Sequence, residues 1–262
     1  MEITNLLRPR SLDEAYAYMT EKKAFLIGGG AWSRMAHRTV ETAVDLSALD
    51  LRYIRKTGGK IEIGAMATVR DVELSPVLAE AFGPVFRDSV KNIVGVQMRN
   101  IVTVGGTVAG RYGFSELNTV LLALGAVIVR HKESELGFEA YMAGEGKPGL
   151  VEKIVLDASG AKTGFQAVRN TKADLPILNA AVAFRAGAWS VAVGARPGSA
   201  RPAKDAAALL GSSPKPDAAA IARAAETAAK EIEFGDDIRG TAEYRRDVCS
   251  VLVRRALTEA VR

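Results

Sequence analysis

A chain of 262 residues, 48% hydrophobic and 25% charged, is long enough to bury a sizeable core, has the make-up of an ordinary soluble globular protein and leaves room for two domains. Its net charge of +5 comes from basic residues dispersed among acids, not from the aromatic-interleaved basic stripe of a nucleic-acid binder, so no nucleic-acid partner is expected. A single cysteine, Cys249, excludes an intrachain disulfide and a cysteine-ligated iron–sulfur cluster within this chain, and two histidines without HExxH or CxxC spacing argue against zinc.

The N-terminal stretch MEITNLLRPRSLDEA has no apolar secretory core, and the most apolar segment, from Thr119 to Val129, is too short to span a bilayer. The expectation is a cytoplasmic protein without a membrane span. Ser11 opens a predicted helix, SLDEAYAYM, with a capping hydroxyl and acids in its first turn. AFLIGGG reads as a buried strand ending in a glycine turn, AVDLSAL as a second strand, and YIRKTGGKIEIGAM as a hairpin turning at Gly58-Gly59. The pattern from Ala67 to Val90 is helical, interrupted at Pro76 and at Gly83-Pro84. A second glycine turn follows at Gly105-Gly106, then LNTVLLALGAVIVR as a helix running into a strand, then VEKIVLDA as another strand. From about Gly164 an antiparallel meander is expected with a turn at Gly187, and beyond Pro202 the alanine-rich sequence reads as packed helices.

The two glycine clusters carry the chemical argument. A diphosphate needs several converging N–H donors and a backbone with no Cβ in the way, and consecutive glycines in a turn supply both. The first cluster does not follow the dinucleotide fingerprint, because Ser33 stands where a third glycine belongs, and no lysine follows either cluster to make a P-loop. Each cluster alone is most simply a tight loop; the pair, each read as following an apolar strand, points to a flavin-type diphosphate. Ser33, His37 and Asp45 have no nucleophile elbow that would make them a triad, Asp236-Asp237 reads as a helix cap, and Cys249 as a small buried hydrophobe. Trp32 and Trp189 read as core or rim aromatics.

The segments QMRNIVTVGGT, Ser115-Glu116 with LLALGA, GLVEKIVLDA, FQAVRN and DDIRGTAEYRRDVCSVLVRRAL, together with GGGAW from Gly28 to Trp32, resemble the medium, FAD-binding subunit of the molybdenum hydroxylases, the xanthine dehydrogenase and carbon monoxide dehydrogenase flavoprotein type. The resemblance covers essentially the whole chain. It implies an α+β fold: a two-part FAD-binding domain of mixed α/β character (PCMH-type) over 1–160, with subdomains at about 1–56 and 57–160, then a smaller α+β domain over 161–262 with an antiparallel sheet and helices. It also implies an oxidoreductase subunit with FAD as cofactor. Its partners would be a molybdopterin-containing large subunit and a small 2Fe–2S subunit, whose electrons the flavin collects and hands to an external acceptor such as NAD.

Carried onto this chain, the resemblance places Phe25, Leu26, Ile27, Gly28, Gly29, Gly30, Ala31 and Trp32 with Thr103, Val104, Gly105, Gly106 and Thr107 around the diphosphate and its flanking sugars. Glu116 falls where an aspartate usually meets the cofactor, and Ile93 and Val151 where apolar residues pack near its rings. No catalytic acid, base or nucleophile and no metal ligand is expected of this subunit. Departures fall at Ala31, Trp32, Thr107, Glu116 and Ala167, the last standing where a lysine often contacts the flavin, with Arg169 nearby as a substitute cation. These departures keep open a subunit of the same type that holds the architecture with weakened or lost FAD binding. A stand-alone flavin oxidase is the other alternative.

Overall fold

The computed structural model describes residues 1–146 and 149–262. The chain begins with strand β1 (Glu2–Leu7), helix α1 (Leu12–Glu21), strand β2 (Phe25–Ile27) and strand β3 (Thr39–Asp45). These form a three-stranded parallel sheet in the order β1-β3-β2. Ser11 caps α1 as expected, its hydroxyl accepting from the Glu14 amide at 3.1 Å. β1 was not expected. Its side chains are mostly exposed, so the alternation that marks a half-buried strand is missing, and only pairing with β3 makes it one.

Strands β4 (Ile54–Thr57) and β5 (Lys60–Gly64) form the predicted hairpin. Gly58 and Gly59 turn it with φ of +54° and +79°, the two left-handed positions of a type I′ turn. Helices α2 (Val69–Leu74), α3 (Pro76–Phe82), α4 (Val85–Val90), α5 (Val96–Ile101), α6 (Val104–Ala109) and α7 (Glu116–Ala123) follow. The breaks at Pro76 and Gly83-Pro84 fall where the sequence places them. Strand β6 (Val127–Arg130), strand β7 (Leu136–Gly137), helix α8 (Phe138–Met142) and strand β8 (Val151–Asp157) complete this part, giving an antiparallel five-stranded sheet in the order β4-β5-β8-β6-β7.

Strands β9 (Lys162–Val168), β10 (Leu178–Arg185), β11 (Ala188–Gly194) and β12 (Arg201–Pro202) form the expected antiparallel meander, with Ala186-Gly187 as its turn. Helices α9 (Lys204–Ala208), α10 (Ala218–Glu231) and α11 (Ala242–Ala260) close the chain. β10 is buried on both faces. Leu178, Ala180 and Val182 join Ala224, Ala228, Leu252 and Val253 of α10 and α11 in one core, while Ala181 and Ala183 point into the other, shared with the five-stranded sheet and α2–α7. The alanines of α10 and α11 let two helices and a sheet approach closely, so this sheet ties the halves of the chain together. Cys249 lies inside that packing, where burial pushes its thiol up to about 12. Among the described residues no helix is long and apolar enough to cross a membrane.

Candidate functional site

The first glycine loop leaves the carboxyl end of β2, an edge strand of the parallel sheet, which is where open parallel sheets present ligands. Phe25, Leu26 and Ile27 are half-buried, and Phe25 lies beneath the Arg38 guanidinium, 4.0 Å from its ring centre. Among the described residues the amides of Gly29, Gly30, Ala31 and Trp32 donate to no backbone acceptor, whereas that of Gly28 continues the β2–β3 ladder. Gly30 has φ of +67°. A run of unpartnered N–H groups on a glycine-rich turn is a backbone nest for an anion.

The glycines are dictated by what lies behind the loop. A Cβ on Gly28 would sit 2.5 Å from Thr103 Oγ1, and one on Gly29 would sit 1.4 Å from the Ile101 carbonyl oxygen. The two glycine-bearing segments are therefore brought face to face. The second is not a turn fed by a strand, as the sequence suggested: residues before it form α5, and Gly105-Gly106 lie in the first turn of α6. Thr103 caps that helix, its Oγ1 accepting from the Gly106 amide at 3.2 Å. The Val104 amide donates to the Ala67 carbonyl and the Gly105 amide to the Ala65 carbonyl, both at 2.8 Å. A Cβ on Gly105 would lie 2.7 Å from that of Ala65, so this glycine serves close packing. The free donors thus belong to the first loop. The second segment offers the Thr103 hydroxyl proton and a closely packed wall; Thr107 is buried, its carbonyl accepting from Asn118 Nδ2 at 3.4 Å.

The remaining predicted positions spread around this pair of segments. Val151 is buried at the start of β8, and the neighbouring Glu152 carbonyl accepts from Ala65, which in turn holds Gly105. Ile93 is half-buried against the same core, its carbonyl accepting from Arg99 Nη1 at 2.6 Å. Ala31 is buried, whereas Trp32 stands 48% exposed. Three residues of the rim were absent from the sequence reading: Arg38, Tyr112 and Phe114. Tyr112 and Phe114 stack at 5.2 Å, and Trp32 leans on both, 5.8 and 5.1 Å away. Their signal was present in GRYGFS, immediately after the second glycine segment. Burial pushes the Tyr112 phenol up against the pull of Arg38.

Glu116 opens α7 and is almost wholly buried in an ion pair with Arg169. Arg169 is therefore not a loose cation standing in for the lysine missing at Ala167, which lies in β9 opposite Asn179. Burial pushes the Glu116 carboxyl up to about 7, and Arg169 only partly opposes it. A carboxyl raised in the folded state adds stability at low pH and loses it as pH climbs through the folded value. Glu116→Gln should therefore show a shallower decline in thermal stability than wild type between about pH 4.5 and 7, the slopes differing by up to about 1.4 kcal/mol per pH unit. Parallel slopes in melting curves across that window would refute the raised value. Among the described residues no group of His, Cys, Asp and Glu could hold a metal ion.

Comparison with known proteins gives matches over nearly the whole length. Residues 2–158 match the family described as the FAD binding domain in molybdopterin dehydrogenase, and residues 163–260 match the CO dehydrogenase flavoprotein C-terminal domain. The chain is 28% identical to the nicotine 6-hydroxylase medium subunit of Paenarthrobacter nicotinovorans, covering 96% of this chain and 95% of that one. It is 24% identical to the carbon monoxide dehydrogenase medium chain of Hydrogenophaga pseudoflava over the same shares of the two chains. A chain of the reconstituted CO dehydrogenase from Oligotropha carboxidovorans superposes with a TM-score of 0.87 at 25% identity, covering 98% of this chain and 97% of that one.

Proposed function

The chain belongs to the FAD-binding medium subunits of the molybdenum hydroxylases, and from that premise we propose that it holds the FAD diphosphate on the Gly28–Trp32 loop and passes electrons from a partner's iron–sulfur clusters to an external acceptor such as NAD. The observation that carries the placement is the run of four unpartnered amides, Gly29 to Trp32, on a loop where Cβ atoms at Gly28 and Gly29 are sterically excluded. Donors of this kind offset phosphate charge without needing a cation. The Thr103 hydroxyl would add a further donor, and the half-buried Phe25–Ile27 strand and Ile93 would supply apolar walls.

Bound FAD supplies the redox chemistry, and the protein binds, orients and shields it. The lone cysteine is buried, so the clusters of such a relay lie on another chain, the small 2Fe–2S subunit, with the molybdopterin cofactor on a large one. We place the domain division near residue 160, in the link from β8 to β9, and the complex in the cytoplasm.

The test is reconstitution. Purified with added FAD, the full chain should show a flavin absorption spectrum that dithionite bleaches, and NADH should bleach it anaerobically if NAD is the acceptor. A protein that retains no flavin after incubation with excess FAD, alone and with its partner subunits, would overturn the assignment in favour of a scaffold subunit. Bleaching by dithionite but not by NADH would remove NAD from the proposal and leave the flavin site standing.

A further inference from the structure

Beside the amide loop stands a second feature that no diphosphate needs. Trp32 ends the run of free amides. Its ring packs against Phe114 and Tyr112, tilted by 48° and 58°, while those two rings stack on each other at 15°. The supporting pair is held firmly: the Gly113 carbonyl accepts from the Ala195 amide at 2.9 Å, and the Tyr112 carbonyl accepts from Ser115 at 3.0 Å. A Cβ on Gly113 would meet the Gly198 carbonyl oxygen at 2.5 Å, so the loop carrying the pair is seated against the C-terminal half. Trp32 nonetheless keeps about half of its surface in solvent, as 48% exposure requires. A tryptophan braced by two other rings with about half of its surface open to solvent has aromatic surface left for stacking.

We propose that Trp32, braced by Tyr112 and Phe114, is a platform on which the purine of the cofactor's adenosine end stacks. The proposal rests on the reading that FAD lies along the Gly28–Trp32 loop. The choice of ring follows from reach. Trp32 belongs to the loop itself, so it meets whatever lies next to the diphosphate, and a ribose holds its base closer to phosphate than a five-carbon ribityl chain holds the flavin ring. The exposed Arg38 guanidinium, stacked on Phe25, adds positive charge on the same side, suited to the neighbouring phosphate. Stacking on an aromatic face is tolerant of ring substituents, so the platform adds affinity and leaves recognition to other groups.

The chain has two tryptophans, and Trp189 is buried with its indole N–H donating to the Ser213 carbonyl, so a change of emission on adding ADP, which does not absorb where tryptophan emits, reports on Trp32. Wild type, Trp32→Phe and Trp32→Ser are titrated with FAD, ADP and FMN. Binding is read by calorimetry and by tryptophan emission. The expected result is a change of emission with ADP in wild type that is absent in Trp32→Phe. Affinity for ADP and FAD should fall about tenfold or more in Trp32→Ser and be largely restored in Trp32→Phe, with FMN affinity unchanged throughout. Wild-type FAD affinity in Trp32→Ser would overturn the platform and leave the flavin site intact. A loss seen with FMN and not with ADP would overturn it by placing the flavin ring there instead. Failure of the wild type to bind either FAD or ADP would overturn both this proposal and the functional reading beneath it.

Discussion

Gly29→Ala should fold, purify without flavin, and bind added FAD at least about a hundredfold more weakly than wild type. The new methyl would lie 1.4 Å from the Ile101 carbonyl oxygen and 2.5 Å from its carbon. Both are backbone atoms at the end of α5, so no side chain can swing aside and the loop must move instead. Hydrogen bonds to a charged group are each worth roughly 1.5–3 kcal/mol. Displacing two amides of the nest thus costs about 3–6 kcal/mol, or two to four decades of affinity. Gly30→Ala is the informative contrast. It meets only Ile27 Cγ2 at 3.6 Å, an ordinary contact, but its φ of +67° charges an alanine roughly 1–2 kcal/mol of backbone strain. Its loss should be tenfold or so. Flavin titration of the two variants, with circular dichroism to show that both retain their fold, checks the order. Equal affinities for Gly29→Ala and wild type would place the diphosphate elsewhere.

That contrast also marks where sequence reasoning reached and where it stopped. The Gly58-Gly59 hairpin, the Ala186-Gly187 turn and the helices after Pro202 were legible because each is set by local chemistry: left-handed turn positions in the first two, an apolar stripe in the last. The first glycine loop was legible as a loop. Its reason for being glycine was not, because the obstructing atoms belong to Ile101 and Thr103, distant in sequence. Gly105-Gly106 misled for the opposite reason. Two glycines suggest a turn, but the Thr103 cap and the carbonyls of Ala65 and Ala67 hold them in a helix, with their amides already engaged. Arg169 and Glu116 could each be singled out from the sequence, yet their pairing needs the residue that follows β9 to reach the start of α7, a tertiary fact no spacing reveals.

Arg245→Met should be the most destabilising single change in the C-terminal half, giving insoluble protein or a large drop in melting temperature. Arg245 is completely buried on α11. Its guanidinium donates to the carbonyls of Ile177 at 2.9 Å, Gly235 at 2.8 Å and Gly240 at 2.5 Å, and to Asp237 Oδ1 at 2.5 Å. One planar fork therefore fastens the start of β10, the loop before α11 and α11 itself. Removing it strands three carbonyls and a carboxylate, a loss of about 3–5 kcal/mol from a total that is typically about 5–15 kcal/mol. Arg245→Lys should rescue little, since a single ammonium cannot span four acceptors in this plane. The neighbouring Arg246 is exposed, and Arg246→Ala should stay within about 0.5 kcal/mol of wild type. Burial works to raise the Asp237 carboxyl, but Arg245 and the Arg239 amide outweigh it and hold it below the ordinary range. Wild type should therefore lose part of its stability as pH falls below about 4, and Arg245→Met should have little of that contribution left to lose. Cys249, one turn further along α11, reports the outcome independently. Its thiol should resist labelling in native wild type and in Arg246→Ala, and react readily in Arg245→Met. A protected thiol together with a wild-type melting temperature in Arg245→Met would show that this arginine does not hold the C-terminal half together.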